Sequence, residues 1–229
     1  MFSGSNESVG ETTLGLTEER LNITKTGTTT VGLVCSGAVV IATDTRVTMG
    51  NYIAHHKGKK LHKVDHHMGM TIAGAVADAQ NVIDIAKYYA SLYRLDHERP
   101  IPIGAAARLI ANVFFSQRSY PLIAQILLAG YDETGPSLYN IDFFGSLSNE
   151  KYMSTGSGSP IVLGILESEF REGMPVDDAV KLAIKAVTSA MKRDTYSGDS
   201  FDVAVIGRDG FRELTLDEKQ ELLKALLVN

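Results

Sequence analysis

The order of apolar periodicities along the chain predicts an α+β fold. Strand-like runs come in pairs, helical runs come in pairs after them, and the two kinds then alternate in blocks with no βαβ repeat. That is the pattern of layers segregated by type. A chain of 229 residues with 44% hydrophobic content buries one substantial core without a second domain.

Residues 28–35 and 38–43 are β-branched, apolar runs separated by Ser36-Gly37, a two-residue turn signal. With those two as the loop, Thr29 faces Asp44 and Thr28 faces Thr45. The open end of this hairpin then gathers Thr28, Asp44 and Arg46 within about one strand spacing, roughly 5 Å. A second strand pair, 60–64 and 68–73, turns at Asp65-His66-His67. Gly74 breaks into a helix over 78–94, with Val82, Ile85, Ala86, Tyr89 and Leu92 at helical spacing. Arg99-Pro100 closes it, and a second helix over 104–116 places Ala107, Ile110, Ala111 and Phe114 on one face. Strands follow at 124–129, 137–143 and 151–154, then helices at 160–170 and 176–192. The last of these has Asp177-Asp178 in its first turn, where carboxylates suit the positive end of the helix dipole. A hairpin over 201–206 and 211–214 turns at Arg208-Asp209-Gly210, and 216–227 reads as a closing amphipathic helix.

Bulk properties exclude several functions. A net charge of -5 offers no general attraction for nucleic acid phosphates. The one cysteine, Cys35, rules out an internal disulfide framework and reads as a small buried apolar residue. No segment reaches the roughly 18–20 apolar residues needed to span a bilayer. The polar leader, 1–25, lacks the apolar stretch of a secretory signal, so the expected location is cytoplasmic.

The junction of leader and first strand carries the chemistry. Cleavage between Gly27 and Thr28 would leave Thr28 with a hydroxyl and a free α-amino group. The amine titrates near pH 7 to 8, in round terms, and can activate the adjacent hydroxyl. Taken alone, Thr28-Thr29-Thr30 at a strand start is ordinary strand composition.

Six blocks in order change that reading. They are Thr28-Thr29-Thr30-Val31-Gly32, Ala42-Thr43-Asp44-Thr45-Arg46-Val47-Thr48, Gly58-Lys59-Lys60-Leu61, Gly69-Met70-Thr71-Ile72-Ala73-Gly74, the run from Ser154 to Pro160, and Arg193-Asp194 followed by Ser197-Gly198. Together they make the chain from Gly27 to about Gly207 resemble an archaeal-type proteasome β subunit. The resemblance implies a four-layer αββα sandwich, two antiparallel sheets flanked by helix pairs, of the N-terminal nucleophile hydrolase kind. It implies a propeptide, 1–27, removed by self-cleavage between Gly27 and Thr28, and one catalytic domain over 28–229. Thr28 would be the nucleophile, Lys60 the catalytic lysine, Asp44 its orienting carboxylate and Gly74 the oxyanion donor. Ser157, Asp194 and Ser197 would support the amino group of Thr28. The substrate pocket would be lined by Val47, Thr48, Gly58, Ile72 and Val76, with Gly58 at its base leaving room for a large apolar side chain.

The implied function is a threonine endopeptidase that degrades unfolded polypeptides with chymotrypsin-like preference. The implied partners are proteasome α subunits and other β subunits in stacked heptameric rings (α7β7β7α7), with a separate ATP-dependent unfoldase ring, since no Walker motif is present. Neither a nucleic acid nor a membrane partner is expected. His55, His56, His62, His66 and His67 lack the spacing of a zinc site, and a solvated cluster is expected with no metal and no organic cofactor. Two other readings stay open at this stage: a structural ring subunit that does not cut, and an amidase of the same fold acting on small molecules.

Overall fold

The computed structural model describes residues 27–227, so the expectations for the leader up to residue 26 lie outside the described residues. Twelve strands and five helices follow in chain order among them. β1 (Thr30–Cys35) and β2 (Ala38–Asp44) form the first hairpin, with Thr30 opposite Thr43 and Cys35 opposite Ala38. This is the register that the Ser36-Gly37 loop dictates. β1 begins two residues later than the sequence suggests, but a bond from the Asp44 amide to the Thr29 carbonyl (3.1 Å) carries the pairing one step further.

β3 (Val47–Met49) and β4 (Tyr52–His55) form a small separate hairpin, which the sequence reading passed over. β5 (Leu61–Asp65) and β6 (Met68–Gly74) turn at His66-His67. Helices α1 (Val76–His97) and α2 (Ile103–Ser116) come next. β7 (Ala124–Asp132), β8 (Gly135–Ile141), β9 (Leu147–Glu150) and β10 (Tyr152–Thr155) follow, β9 being another strand not foreseen. The chain continues through α3 (Ser159–Glu169), α4 (Val176–Met191), β11 (Phe201–Gly207), β12 (Gly210–Glu213) and α5 (Leu216–Leu227). Gly210 belongs to the last strand, paired with Gly207, so that turn is the two residues Arg208-Asp209.

The strands make two antiparallel five-stranded sheets, ordered β10-β1-β2-β11-β12 and β5-β6-β7-β8-β9. Side-chain alternation assigns each face. In β2, Val39 and Ile41 point toward the other sheet, while Val40 and Ala42 pack under α3 and α4 with Ala183 and Val187. In β7, Leu127 and Ala129 meet the first sheet, while Ile126 and Leu128 pack against Val82, Ile110 and Phe114 of α1 and α2. Three apolar interlayers therefore separate four layers, the αββα sandwich. Every residue of β2 is buried because both its faces are covered.

Helix α1 corrects one expectation. Its buried residues are Val82, Ile83, Ala86 and Ala90, whereas Tyr89 and Leu92 are exposed. The sheet takes the stripe one residue round from the one that periodicity favoured.

Cys35 is buried, its Sγ 3.3 Å from the Ala38 carbonyl, and burial pushes the thiol up to about 11. At pH 7.5 it is protonated and shielded, so the native protein is expected to resist thiol-alkylating reagents. Iodoacetamide labelling followed by mass measurement should give one adduct only after denaturation.

Candidate active site

The end of the first hairpin converges on the hairpin β5–β6, and the convergence is organised by one carboxylate. Asp44, last residue of β2, is fully buried. Its Oδ1 accepts from the Thr29 amide (2.9 Å) and from Lys60 Nζ (2.8 Å). Its Oδ2 accepts from the amides of Arg46 (3.1 Å) and Gly198 (3.0 Å). Lys60, just before β5, is only 8% exposed. Burial pushes the Asp44 carboxyl up and the Lys60 ammonium down, and each partially restores the charged form of the other. Four donors on one carboxylate favour its ionised form and offset part of that burial, and Lys60 is a desolvated amine whose pKa burial lowers.

Lys59 goes elsewhere. Its ammonium reaches Glu213 and lies 3.9 Å from Asp202, so it fastens the turn to β12 and takes no part in the Asp44 cluster. Adjacent lysines thus have opposite fates. Arg46 likewise turns its guanidinium to Asp199 (3.0 Å) and the Thr195 carbonyl (3.1 Å). It contributes only its amide to Asp44.

Thr28 lies beside this pair, 3% exposed. Its Oγ1 donates to the Gly27 carbonyl at 2.7 Å. Its backbone nitrogen donates to Ser157 Oγ at 3.3 Å. Ser157 Oγ in turn donates to Asp194 Oδ2 (2.6 Å), which also accepts from Ser197 Oγ (2.6 Å), and Ser197 Oγ accepts from Thr29 Oγ1 at 2.7 Å. Each hydroxyl has one hydrogen, and this assignment uses each once. Ser157, Asp194 and Ser197 are therefore one hydrogen-bonded chain that ends on the nitrogen of Thr28. Asp194, just past the end of α4, carries two short bonds there.

Gly27 fits only as glycine. A Cβ at this position would lie 1.5 Å from the Cβ of Tyr196, and the Gly27 amide donates to Thr48 Oγ1 at 3.2 Å. Gly74, at the end of β6, has φ +139, and a Cβ there would strike the Ile123 carbonyl oxygen at 2.1 Å. Backbone in that region requires glycine.

A cavity of about 260 Å³ joins these groups, and Gly27, Thr28, Lys60 and Gly74 all line it. Val47, Thr48, Gly58, Ile72 and Val76 line it too. Gly58 acts on the pocket through Val47, because a Cβ there would meet Val47 Cγ2 at 2.2 Å and both residues line the cavity. Glycine is needed at 58 so that Val47 can lie against the backbone. The sequence reading missed Ala79, Gln80, Ile83, His55 and His62, which also line the cavity. Val76, Ala79, Gln80 and Ile83 fall at the i, i+3, i+4, i+7 spacing of one helix face, a signal that was present in the sequence. Burial lowers the pKa of His62.

The histidines do not all behave alike. His55, His56 and His66 are exposed, His62 is half-buried, and His67 is buried, so the cluster is not uniformly solvated.

A buried threonine hydroxyl and a buried lysine lining one largely apolar cleft of an αββα sandwich form an arrangement that suits an N-terminal nucleophile hydrolase. Comparison with known proteins agrees: the pattern of the family described as Proteasome subunit matches residues 24–206. The chain is similar to "Proteasome subunit beta" of Methanothermobacter thermautotrophicus, 47% identical over 201 residues covering 87% of this chain and 96% of that one. It is also similar to "Proteasome subunit beta 2" of Nitrosopumilus maritimus, 44% identical over 198 residues, 86% and 94% of the two chains. A third relative, "Proteasome subunit beta 2" of Staphylothermus marinus, is 46% identical over 199 residues, 86% and 95% of the two chains. The chain belongs to the proteasome subunit family, as a β subunit of the archaeal type. It is a threonine protease. No helix among the described residues is long and apolar enough to cross a membrane.

Proposed function

We propose that this chain is the proteolytic β subunit of a proteasome core particle, released from a propeptide, 1–27, by its own Thr28. The observation that carries the reading is the Thr28 hydroxyl, 2.7 Å from the Gly27 carbonyl oxygen and at the end of the pocket that Lys60 lines. In the precursor, Thr28 Oγ attacks the Gly27 carbonyl carbon. The peptide C–N bond breaks, the hydroxyl proton passes to the departing nitrogen, and Gly27 is left as an ester on Thr28. Water hydrolyses the ester, giving a Gly27 carboxylate and a Thr28 with free hydroxyl and amine.

On a substrate the same oxygen attacks the scissile carbonyl, with the new amine, through a water, taking the proton. Lys60 supplies positive charge next to the developing negative charge, and the Gly74 amide faces the oxyanion. Asp44 holds Lys60 in place, and the Ser157–Asp194–Ser197 chain holds the amine. An acyl-enzyme ester then hydrolyses to regenerate Thr28.

Assembly follows the family: α subunits and further β subunits in stacked heptameric rings, fed by an ATP-dependent unfoldase ring, in the cytoplasm. Native mass measurement combined with degradation of an unfolded protein tests the whole reading. A ring-sized particle that cleaves the polypeptide supports it. A particle that does not cut, or a monomer that cleaves only small amides, contradicts it.

Specificity gives a separate prediction. Val47, Ile72, Val76, Ala79 and Ile83 make the pocket walls predominantly apolar. Burial of a Tyr, Phe or Leu side chain there contributes about 1.5–3 kcal/mol, whereas an unpaired carboxylate or ammonium is costly to desolvate. Fluorogenic peptides should be cut fastest after Tyr, Phe and Leu, with modest discrimination among them. Faster cleavage after Glu or Arg would contradict the pocket assignment.

A further inference from the structure

At the far end of hairpin β5–β6 from Lys60 and Gly74, Asp65, His66 and His67 offer ligand atoms that all lie within 4.8 Å of one another. Asp65 is 8% and His67 5% exposed, yet Asp65 Oδ2 and His67 Nδ1 have no hydrogen-bond partner among the described residues. These two atoms face each other across 3.8 Å, too far for a hydrogen bond. Buried polar atoms are almost always satisfied, so a facing pair of orphans requires an explanation.

The tautomer supplies one. His67 Nε2 lies 2.8 Å from the Ile101 carbonyl oxygen, which can only accept, so Nε2 carries the hydrogen. Nδ1, on the other side of the ring, is turned toward a carboxylate oxygen that is also without a partner. At 3.8 Å they do not hydrogen-bond to each other, and a cation between them satisfies both.

We propose that Asp65 Oδ2, His67 Nδ1 and a ring nitrogen of His66 bind a divalent transition-metal ion, with zinc the best match to two imidazoles and a carboxylate. Zinc bonds of about 2.0–2.2 Å to nitrogen and oxygen span the gap without moving either buried side chain. The ligands are already oriented from behind. Asp65 Oδ1 accepts from Arg94 Nη1 (2.7 Å) and from the His66 amide (2.7 Å), which leaves Oδ2 for the ion, and Ile101 fixes the ring of His67. The His66 side chain is 58% exposed, and its Nδ1 already lies 3.4 Å from Asp65 Oδ1. A cavity of about 420 Å³, lined by both histidines and by Asp132 and Glu133 as well as Arg99 and Arg208, opens beside the two rings.

The ion would act on architecture. The His67 carbonyl accepts from the Tyr131 amide (3.0 Å) and the His66 carbonyl from the Phe211 amide (2.6 Å), so this turn already ties β7 and β12 together. A metal adds a cross-link to it, remote from the nucleophile.

Calorimetric titration of Zn²⁺ alone into the full-length chain, stripped beforehand with a chelator, tests the site. One saturable site per chain is expected, weakened at least fivefold in His66→Ala. Asp65→Asn, which removes a buried charge from Arg94, risks misfolding. His66→Ala alters an exposed ring and keeps its fold, as circular dichroism can verify. Absence of a saturable site in the wild type, or a loss of less than fivefold in His66→Ala, would overturn the assignment.

Discussion

Thr28→Ala is expected to reduce peptide hydrolysis to background while the subunit still folds and assembles. The substitution removes the proposed nucleophile, and deleting a hydroxyl nucleophile costs on the order of 10⁶ in kcat where it has been isolated in a serine hydrolase. The hydroxyl donates to the Gly27 carbonyl alone among the described bonds, so its loss disturbs no other partner. Thr28→Ser keeps an attacking oxygen but loses the γ-methyl that restricts χ1. It should retain measurable turnover below that of the wild type. Assays with a fluorogenic peptide on size-selected particles distinguish these outcomes, and a fully active Thr28→Ala particle would remove Thr28 from the chemistry.

Lys60→Ala should lower turnover by at least about 10²–10³-fold, the usual effect of deleting one electrostatic stabiliser from a desolvated site. The geometry also adds a cost in stability. Breaking a buried ion pair from one side costs about 3–5 kcal/mol, and Asp44 is fully buried. The amides of Thr29, Arg46 and Gly198 remain on the carboxylate and offset part of that loss. Turnover must therefore be measured per assembled particle. Lys59→Ala is the internal control: Lys59 also borders the cavity, but its ammonium turns away to Glu213 on an exposed edge, so it should change turnover by less than about twofold, as surface pairs contribute little. Near-normal turnover in both variants would contradict the role given to Lys60.

How much of this was legible beforehand depends on how local each constraint is. The two-residue loop Ser36-Gly37 and the period of two fix the first hairpin, and with it the approach of Asp44 to Thr29. β3, β4 and β9 are three or four residues long and mostly exposed or half-buried, so they carry no apolar alternation to read. Helix α1 has two overlapping apolar stripes, and only the sheet beneath it selects Ile83 and Ala90 over Tyr89 and Leu92. The amide of Gly198 reaches Asp44 across 154 positions, a contact that no local pattern encodes. His66 and His67 are identical neighbours in sequence, and only the fold buries the second of them.

The central claim is that Thr28 cuts the chain that carries it. Intact-mass spectrometry of the subunit, produced without any other active β subunit, addresses that directly. The account predicts a wild-type chain that begins at Thr28 and a Thr28→Ala chain that keeps Gly27 and everything before it. A Thr28→Ala chain cut after Gly27, or a wild-type chain that assembles and hydrolyses peptides with its leader still attached, would contradict it.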